Sequence, residues 1–240
     1  MKSIYIIPCF NEEDSLTKLI NSCIETNNND KDIDFVLVDN GSTDASKTII
    51  NAATKQYSFI HGCFVSENIG YGFGIISGIR KALQLNQHEF IGWTHADLQI
   101  PLDTLLEANI LLDQLSANHK DIYIRGRRKN RPFLLDIVFT QLMAAYTSLI
   151  HQNIYWDITG QPVLTNKNFL KKILNEAPNG FSFDAYTFIK AKKLNSKIIR
   201  FNVSFIDREQ GQSSWNSGFF SKLKMSTYYM KEILKFKLQS

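Results

Sequence analysis

Over residues 3–94, short apolar runs alternate with segments of helical periodicity, and this alternation limits the fold more than any other feature. Residues 3–7 are a continuous apolar run that stops at Pro8. Leu16, Leu19, Ile20, Cys23 and Ile24 then recur at the spacing of one helix face, which predicts a helix ending at the Asn/Asp cluster 27–30. Residues 35–38 are a second buried strand. A helix follows, with Asp44 as its expected N-cap and Ile49, Ile50 and Ala53 on its apolar side. Residues 59–66 form a third strand, glycines 70, 72 and 74 lead into a helix reaching Leu85, and residues 90–94 form a fourth strand. Strands separated by helices of this length make βαβ units around a parallel sheet. Right-handed crossovers put every strand C-terminus on one edge, where open α/β sheets bind ligands. The polar residues after each strand (Asn11-Glu12, Asp39-Asn40, Glu67-Asn68 and residues 95–99) are therefore expected to converge.

Composition narrows the class. The chain has 240 residues, 44% hydrophobic and 21% charged, which excludes disorder, collagen-like repeats and a coiled coil as the main architecture. A chain of this length buries about 70% of its unfolded surface and needs no disulfide or metal staple. The cysteines, Cys9, Cys23 and Cys63, follow no metal spacing, and Cys9 and Cys23 lie in apolar patterns, which implies a reducing compartment. The net charge of +4 gives no argument for a nucleic-acid partner. Met1-Lys2 leads directly into the first strand, leaving no room for a signal peptide. The longest apolar stretch, residues 132–150, is interrupted by Asp136 and Gln141, so no transmembrane helix is expected.

The second half is less regular. A helix is expected over 102–115, a strand over 121–125, an apolar helix over 134–150, an irregular or β segment over 155–165, a helix over 183–194 and a strand over 198–206. A polar loop, 207–217, precedes a basic amphipathic helix at 222–237. No repeat or linker divides the chain. It reads as a single domain, with one half at 1–100, a second at 101–217 and a C-terminal helix in 218–240.

Four segments carry candidate chemistry. Asp39 ends a strand on the ligand edge, where a carboxylate accepts hydrogen bonds from a base or from ribose hydroxyls. His95, Asp97 and Gln99 share one face if their segment is extended, and imidazole, carboxylate and amide oxygen are acceptable ligands for Mg²⁺ or Mn²⁺. The basic run contains Arg125, Arg127, Arg128, Lys129 and Arg131, a density suited to phosphate recognition as well as to a solvated loop. Arg208, with Gly211, Ser213 and Ser214, is a second candidate phosphate loop. Gly72, Gly74 and Gly78 approximate a dinucleotide fingerprint, with Asp97 as its distant acid. They fall in the third βα unit, however, and close helix–sheet packing accounts for Gly74 and Gly78.

Taken together, these segments resemble the family 2 glycosyltransferases. The resemblance begins at Pro8-Cys9-Phe10-Asn11-Glu12 and continues through residues 38–44 (VDNGSTD), 67–74 (ENIGYGFG) and 95–99 (HADLQ). It extends to 126–128 (GRR), 157–162 (DITGQP) and 208–213 (REQGQS), which bring the chain nearest to the polyprenyl-phosphate sugar transferases, similar to dolichyl-phosphate mannosyltransferase. The resemblance implies a GT-A fold: a Rossmann-like α/β, mostly parallel sheet with helices on both faces. It implies that Pro8, Asn11, Glu12, Asp39 and Asn68 line a nucleotide pocket. Asp97 with Gln99, and His95 in place of the family's first acid, would hold a divalent cation on the sugar-nucleotide diphosphate. Arg127, Arg128 and Arg208 would grip the acceptor phosphate or the leaving diphosphate, with Arg131, Gln161 and Ser213 beside them.

The implied reaction is inversion at the anomeric carbon by in-line displacement. A polyprenyl-phosphate acceptor is already anionic and needs no base. A hydroxyl acceptor, as in cell-surface polysaccharide synthesis, needs a carboxylate, with Asp157 the first candidate and Asp184 the second. The apolar helix near 133–143 and the basic C-terminal helix suggest peripheral attachment to the cytoplasmic membrane face. Two competing readings are a non-catalytic sugar-nucleotide binder, suggested by His95, and a nicotinamide-dependent dehydrogenase.

Overall fold

The computed structural model describes residues 1–115, 121–129, 134–206 and 219–238. The strands are β1 (Ser3–Cys9), β2 (Ile33–Asn40), β3 (Ile60–Val65), β4 (Phe90–Trp93), β5 (Ile122–Lys129), β6 (Val163–Asn166) and β7 (Lys197–Ser204). The helices are α1 (Glu13–Asn29), α2 (Ser46–Gln56), α3 (Tyr71–Leu85), α4 (Thr104–Leu115), α5 (Leu134–His151), α6 (Lys167–Ile173), α7 (Phe183–Lys193) and α8 (Phe219–Leu238).

All seven strands join one sheet in the order β3-β2-β1-β4-β6-β5-β7. β1 pairs in parallel with β2 and β4, β2 with β3, and β5 with β7. β6 is the exception, antiparallel to both β4 and β5. The sheet is thus the mostly parallel one expected, with one reversed strand inserted between its halves.

Alternation along the strands divides the core. Ile4, Ile6, Val36 and Val38 face α3, α5, α6, α7 and α8. Tyr5, Ile7, Phe35 and Leu37 face α1, α2 and α4. Both faces of the central strands are buried, which is why they read as unbroken apolar runs. Gly78 packs α3 on the sheet so closely that a Cβ would overlap Ile6 and Val38.

Some boundaries differ from expectation. The basic run as far as Lys129 is strand rather than loop, because β5 stays in register with β7 from Ile122↔Lys197 to Lys129↔Ser204. Helix α6 occupies residues for which no helix is expected. Helix α2 starts at Ser46, and Asp44 lies one residue before its N-cap, accepting the Ser46 amide across 2.9 Å.

Candidate active site

Loops after successive parallel strands are stitched together at the sheet's C-terminal edge. After β1, Asn11 adopts a left-handed φ of 53°. Its side-chain oxygen accepts the Thr43 amide at 2.9 Å, and its own amide donates to Ser42 Oγ at 3.1 Å. The Glu12 amide donates to Ser46 Oγ at 2.9 Å, and the Ala45 amide donates to the Glu13 carboxylate at 2.8 Å. The Glu12 carboxylate accepts the Ser15 hydroxyl. Asp39, 1% exposed, accepts the Ser42 amide at 3.1 Å. Pro8 sits one residue from the end of β1.

The third loop closes on the second. Gly41, at φ 77°, leaves no room for a Cβ against Asn68. Asn68 Oδ1 accepts the Gly70 amide at 3.0 Å and the Asn40 side-chain amide at 3.4 Å. Asn40 Nδ2 also donates to the Gly70 carbonyl at 3.2 Å. Asn11, Glu12, Asp39, Asn40 and Asn68 are therefore linked through these loops, as the topology predicts.

After β4 the chain turns. Leu98 has a φ of 53°, so His95, Asp97 and Gln99 do not lie along one extended face; this corrects the expected geometry. The turn is closed by the Gln99 amide, which donates to Asp97 Oδ1 at 3.2 Å. His95 stacks on Tyr71, with ring centroids 5.4 Å apart, and Tyr71 stacks in turn on Phe181.

Among the described residues, no group of three His, Cys, Asp or Glu side chains could hold a metal ion. The donor set still suits a divalent cation that arrives on a diphosphate. Such a cation takes one or two carboxylates and fills its remaining positions with phosphate oxygens and water. Asp97, with Gln99 and His95 in the same turn, fits that requirement.

Behind this edge lies a buried polar network. Trp93 Nε1 donates to Asp184 at 2.7 Å, and the fully buried Gln161 donates to both Asp184 oxygens at 3.1 and 3.0 Å. Gln161 Nε2 also reaches the Tyr71 hydroxyl at 2.5 Å. Burial raises the pKa of Asp184, and the hydrogen bonds from Trp93 and Gln161 only partly offset it. Asp184 lies in the first turn of α7 and is spent on this network.

Asp157, at φ 42°, holds a second cluster. Its carboxylate takes the backbone amide and Nε of Arg128, each at 3.2 Å, and a further bond from the same guanidinium. Arg128 also donates to Thr159 Oγ1 at 2.8 Å. Arg125 donates to the Asp157 and Gly160 carbonyls from beneath. Arg127 and Lys129 are exposed. Arg131, Arg208 and Ser213 lie outside the described residues.

Sequence reasoning missed Tyr71 and Trp93. The signal was present: Tyr71 follows Gly70 at the start of a helix, and Trp93 closes the strand that delivers His95.

A sequence model of glycosyl transferase family 2 matches residues 5–189. A cholesterol galactosyltransferase of Borreliella burgdorferi is 26% identical, over 96% of this chain and 66% of that protein. An uncharacterised protein of Methanocaldococcus jannaschii is 25% identical, over 84% of this chain and 86% of its own length. Glucosyl-3-phosphoglycerate synthase of Mycobacterium tuberculosis, solved with uridine diphosphate, matches 98% of this chain and 80% of its own, with a TM-score of 0.68 at 16% identity. The same enzyme solved with Mn²⁺, uridine diphosphate and glucosyl-3-phosphoglycerate gives a TM-score of 0.66 at 14% identity, over 98% of this chain and 79% of that one. These structural likenesses establish the GT-A fold, and the sequence match over most of the chain places it in glycosyl transferase family 2.

Proposed function

We propose that this glycosyltransferase moves a sugar from a nucleotide diphosphate to a phosphate-bearing acceptor, a polyprenyl phosphate, with inversion and divalent-metal assistance. The observation that carries the reading is the engagement of both carboxylates otherwise suited to be a base. Asp157 is clamped by Arg128, and Asp184 is buried against Trp93 and Gln161. An anionic acceptor oxygen needs neither. Transfer to a hydroxyl, the alternative for a glycan or sterol acceptor, requires Asp157 to leave Arg128.

In this reading Pro8, Asn11, Glu12, Asp39 and Asn68 shape the nucleotide pocket. Asp97, with Gln99 and His95, would hold a divalent cation, which would supply positive charge to neutralise the diphosphate. Arg127 and Arg128, with Arg131, Arg208 and Ser213, receive the acceptor phosphate and the charge that develops on the leaving group, while Gln161 stays in the buried network on Asp184. Positioning and charge stabilisation then account for catalysis.

Calorimetric titration of UDP and GDP, with and without Mn²⁺, into wild type and Asp97→Asn tests the donor site. Metal-dependent binding of one nucleotide, lost in the variant, is expected. Tight binding indifferent to both metal and substitution points instead to a non-catalytic binder. Radiolabelled sugar transfer to a polyprenyl phosphate, and none to the matching free alcohol, is expected of the acceptor site.

The same reading puts the protein on the cytoplasmic membrane face. Among the described residues no helix is long and apolar enough to cross a membrane. Support comes from exposed Leu135, Val138, Leu142 and Leu149 on α5, and Leu223, Met230, Leu234 and Leu238 on α8. Tyr146 of α5 donates to the Met230 carbonyl, so the two stripes adjoin, and Lys224, Lys231, Lys235 and Lys237 are exposed on α8. Flotation with anionic vesicles is expected, and Leu142→Glu with Leu234→Glu should abolish it.

A further inference from the structure

We propose that Arg125, Arg200 and Lys192 form a binding site for a phosphate dianion at the β5–β7 edge, separate from the donor diphosphate site. The inference does not depend on the acceptor proposed above.

The first ground is geometric. Arg125 and Arg200 are register partners on adjacent parallel strands, so their side chains leave the same face of the sheet. Both guanidinium groups meet one ring, that of Phe188 on α7, with their central carbons 3.9 and 6.0 Å from its centroid. Lys192, one turn further along α7, lies 5.5 Å from the Tyr155 ring and donates to Asn153, a neutral partner, at 3.0 Å.

The second ground is an orphaned donor. Arg125 is 2% exposed, and its Nη1 is buried with no hydrogen-bond partner among the described residues. Its Nη2 is taken by the Asp157 and Gly160 carbonyls, neither of which carries charge. A buried arginine is ordinarily paired with an acid, and an unpaired guanidinium donor is costly. Arg200, the register partner of Arg125, is exposed, so the cluster has a cation at the protein surface.

Electrostatics agree. Burial and then the neighbouring Arg127 lower the pKa of Arg200, against the pull of Asp157. Burial and then Arg200 lower that of Lys192. Burial is also the largest influence on Arg125 and lowers its pKa; Tyr123, Asp157 and Asp184 pull the other way, and Arg200 adds to the lowering. The nearby acids do not balance this charge: Asp157 is clamped by Arg128, and Asp184 is hydrogen-bonded to Trp93 and Gln161. Arginine forks bind phosphate oxygens in bidentate fashion, and two of them with a lysine match the charge of a dianion.

β5 and β7 stand two and three strands from β4, whose following loop carries Asp97, and three and four strands from β1, about 10–19 Å across the sheet. The ligand is a free phosphate or phosphomonoester, or the phosphate of a lipid headgroup; the recognising chemistry is the same.

The test is titration of the full chain with inorganic phosphate and glycerol 3-phosphate, against chloride at matched ionic strength. Binding is read by calorimetry and by thermal shift. A saturable response is expected. It should weaken about tenfold in Arg200→Gln and in Lys192→Gln and be largely retained in Arg200→Lys. Circular dichroism identifies any variant that fails to fold, and UDP binding, measured alongside, should be unchanged because the donor loops lie elsewhere. A response that chloride reproduces, or that both Gln variants retain in full, overturns the proposal. Vesicles carrying phosphatidic acid separate the two sources. Capture that exceeds capture by phosphatidylcholine vesicles and is lost in Arg200→Gln assigns a headgroup, whereas a response to the soluble anions alone assigns a free phosphate.

Discussion

The indole Nε1 of Trp93 donates to the carboxylate of Asp184 across 2.7 Å, joining the last residue of β4 to the first turn of α7 inside the core. Gln161 donates to the same carboxylate, so every hydrogen bond described there runs towards oxygen. Asp184→Asn turns one oxygen into an N–H donor facing these donors. We expect a loss of about 1–3 kcal/mol, read by denaturant unfolding, together with weakened activity because Gln161 also holds Tyr71.

Asn40 is held by its amide nitrogen, which donates to Asn68 Oδ1 and the Gly70 carbonyl. An aspartate in its place would bring a carboxylate oxygen against two acceptors. Asn40→Asp is therefore expected to destabilise by about 1–3 kcal/mol at neutral pH. The deficit should shrink as the acid is protonated, and a pair of melting curves at pH 7 and pH 4 would reveal it.

At the opposite edge of the sheet, Asp34 Oδ2 lies 2.7 Å from His88 Nε2 and 3.9 Å from His61 Nε2. Burial opposes ionisation of Asp34, but the nearby His61 imidazole and the His88 hydrogen bond prevail and bring its pKa to about 2 from 3.8. A depressed folded-state pKa stabilises the protein above the unfolded value, and that stability disappears as pH falls through the folded one. The window is thus pH 4 down to pH 2. Asp34→Asn should remove about 1 kcal/mol of pH-dependent stability there, seen as a shallower acid-unfolding curve.

The Arg128–Asp157 pair is nearly buried, so breaking it from one side leaves an isolated charge. Arg128→Met and Asp157→Asn should each cost about 3 kcal/mol. The double variant should lose much less than the sum, a coupling that a double-mutant thermal cycle measures directly. Enzymatic turnover should not recover with stability, since the guanidinium is absent.

The βαβ pattern of the first half was legible because its strands are buried on both faces and its helices are amphipathic, as in the run from Leu16 to Cys23. β5 was harder. Arginines at 127 and 128 suggest a loop by charge, yet their backbone groups pair with β7, a constraint that no local pattern records. Helix α6 carried a readable signal in Phe169, Leu170 and Ile173, all buried. The convergence of Asn11, Asp39 and Asn68 follows from strand direction alone. The Tyr71–His95 stack and the Trp93–Asp184 bond join distant segments through side-chain packing, so one-dimensional periodicity gave no sign of either.

The reversed strand β6 has a consequence for the order of assembly. Among the described residues β5 has no pairing with β4 and joins the first four strands only through β6. A nascent chain can close β1 to β4 from nearby segments, but it must hold that sheet with an open edge until residues 163–166 arrive. Contacts of such long sequence separation form late and slowly. The segment 157–161, which enters β6, comes to the ligand edge only at that moment. Transfer activity would then emerge after nucleotide binding during refolding, and the lag between the two would time the insertion of a single four-residue strand.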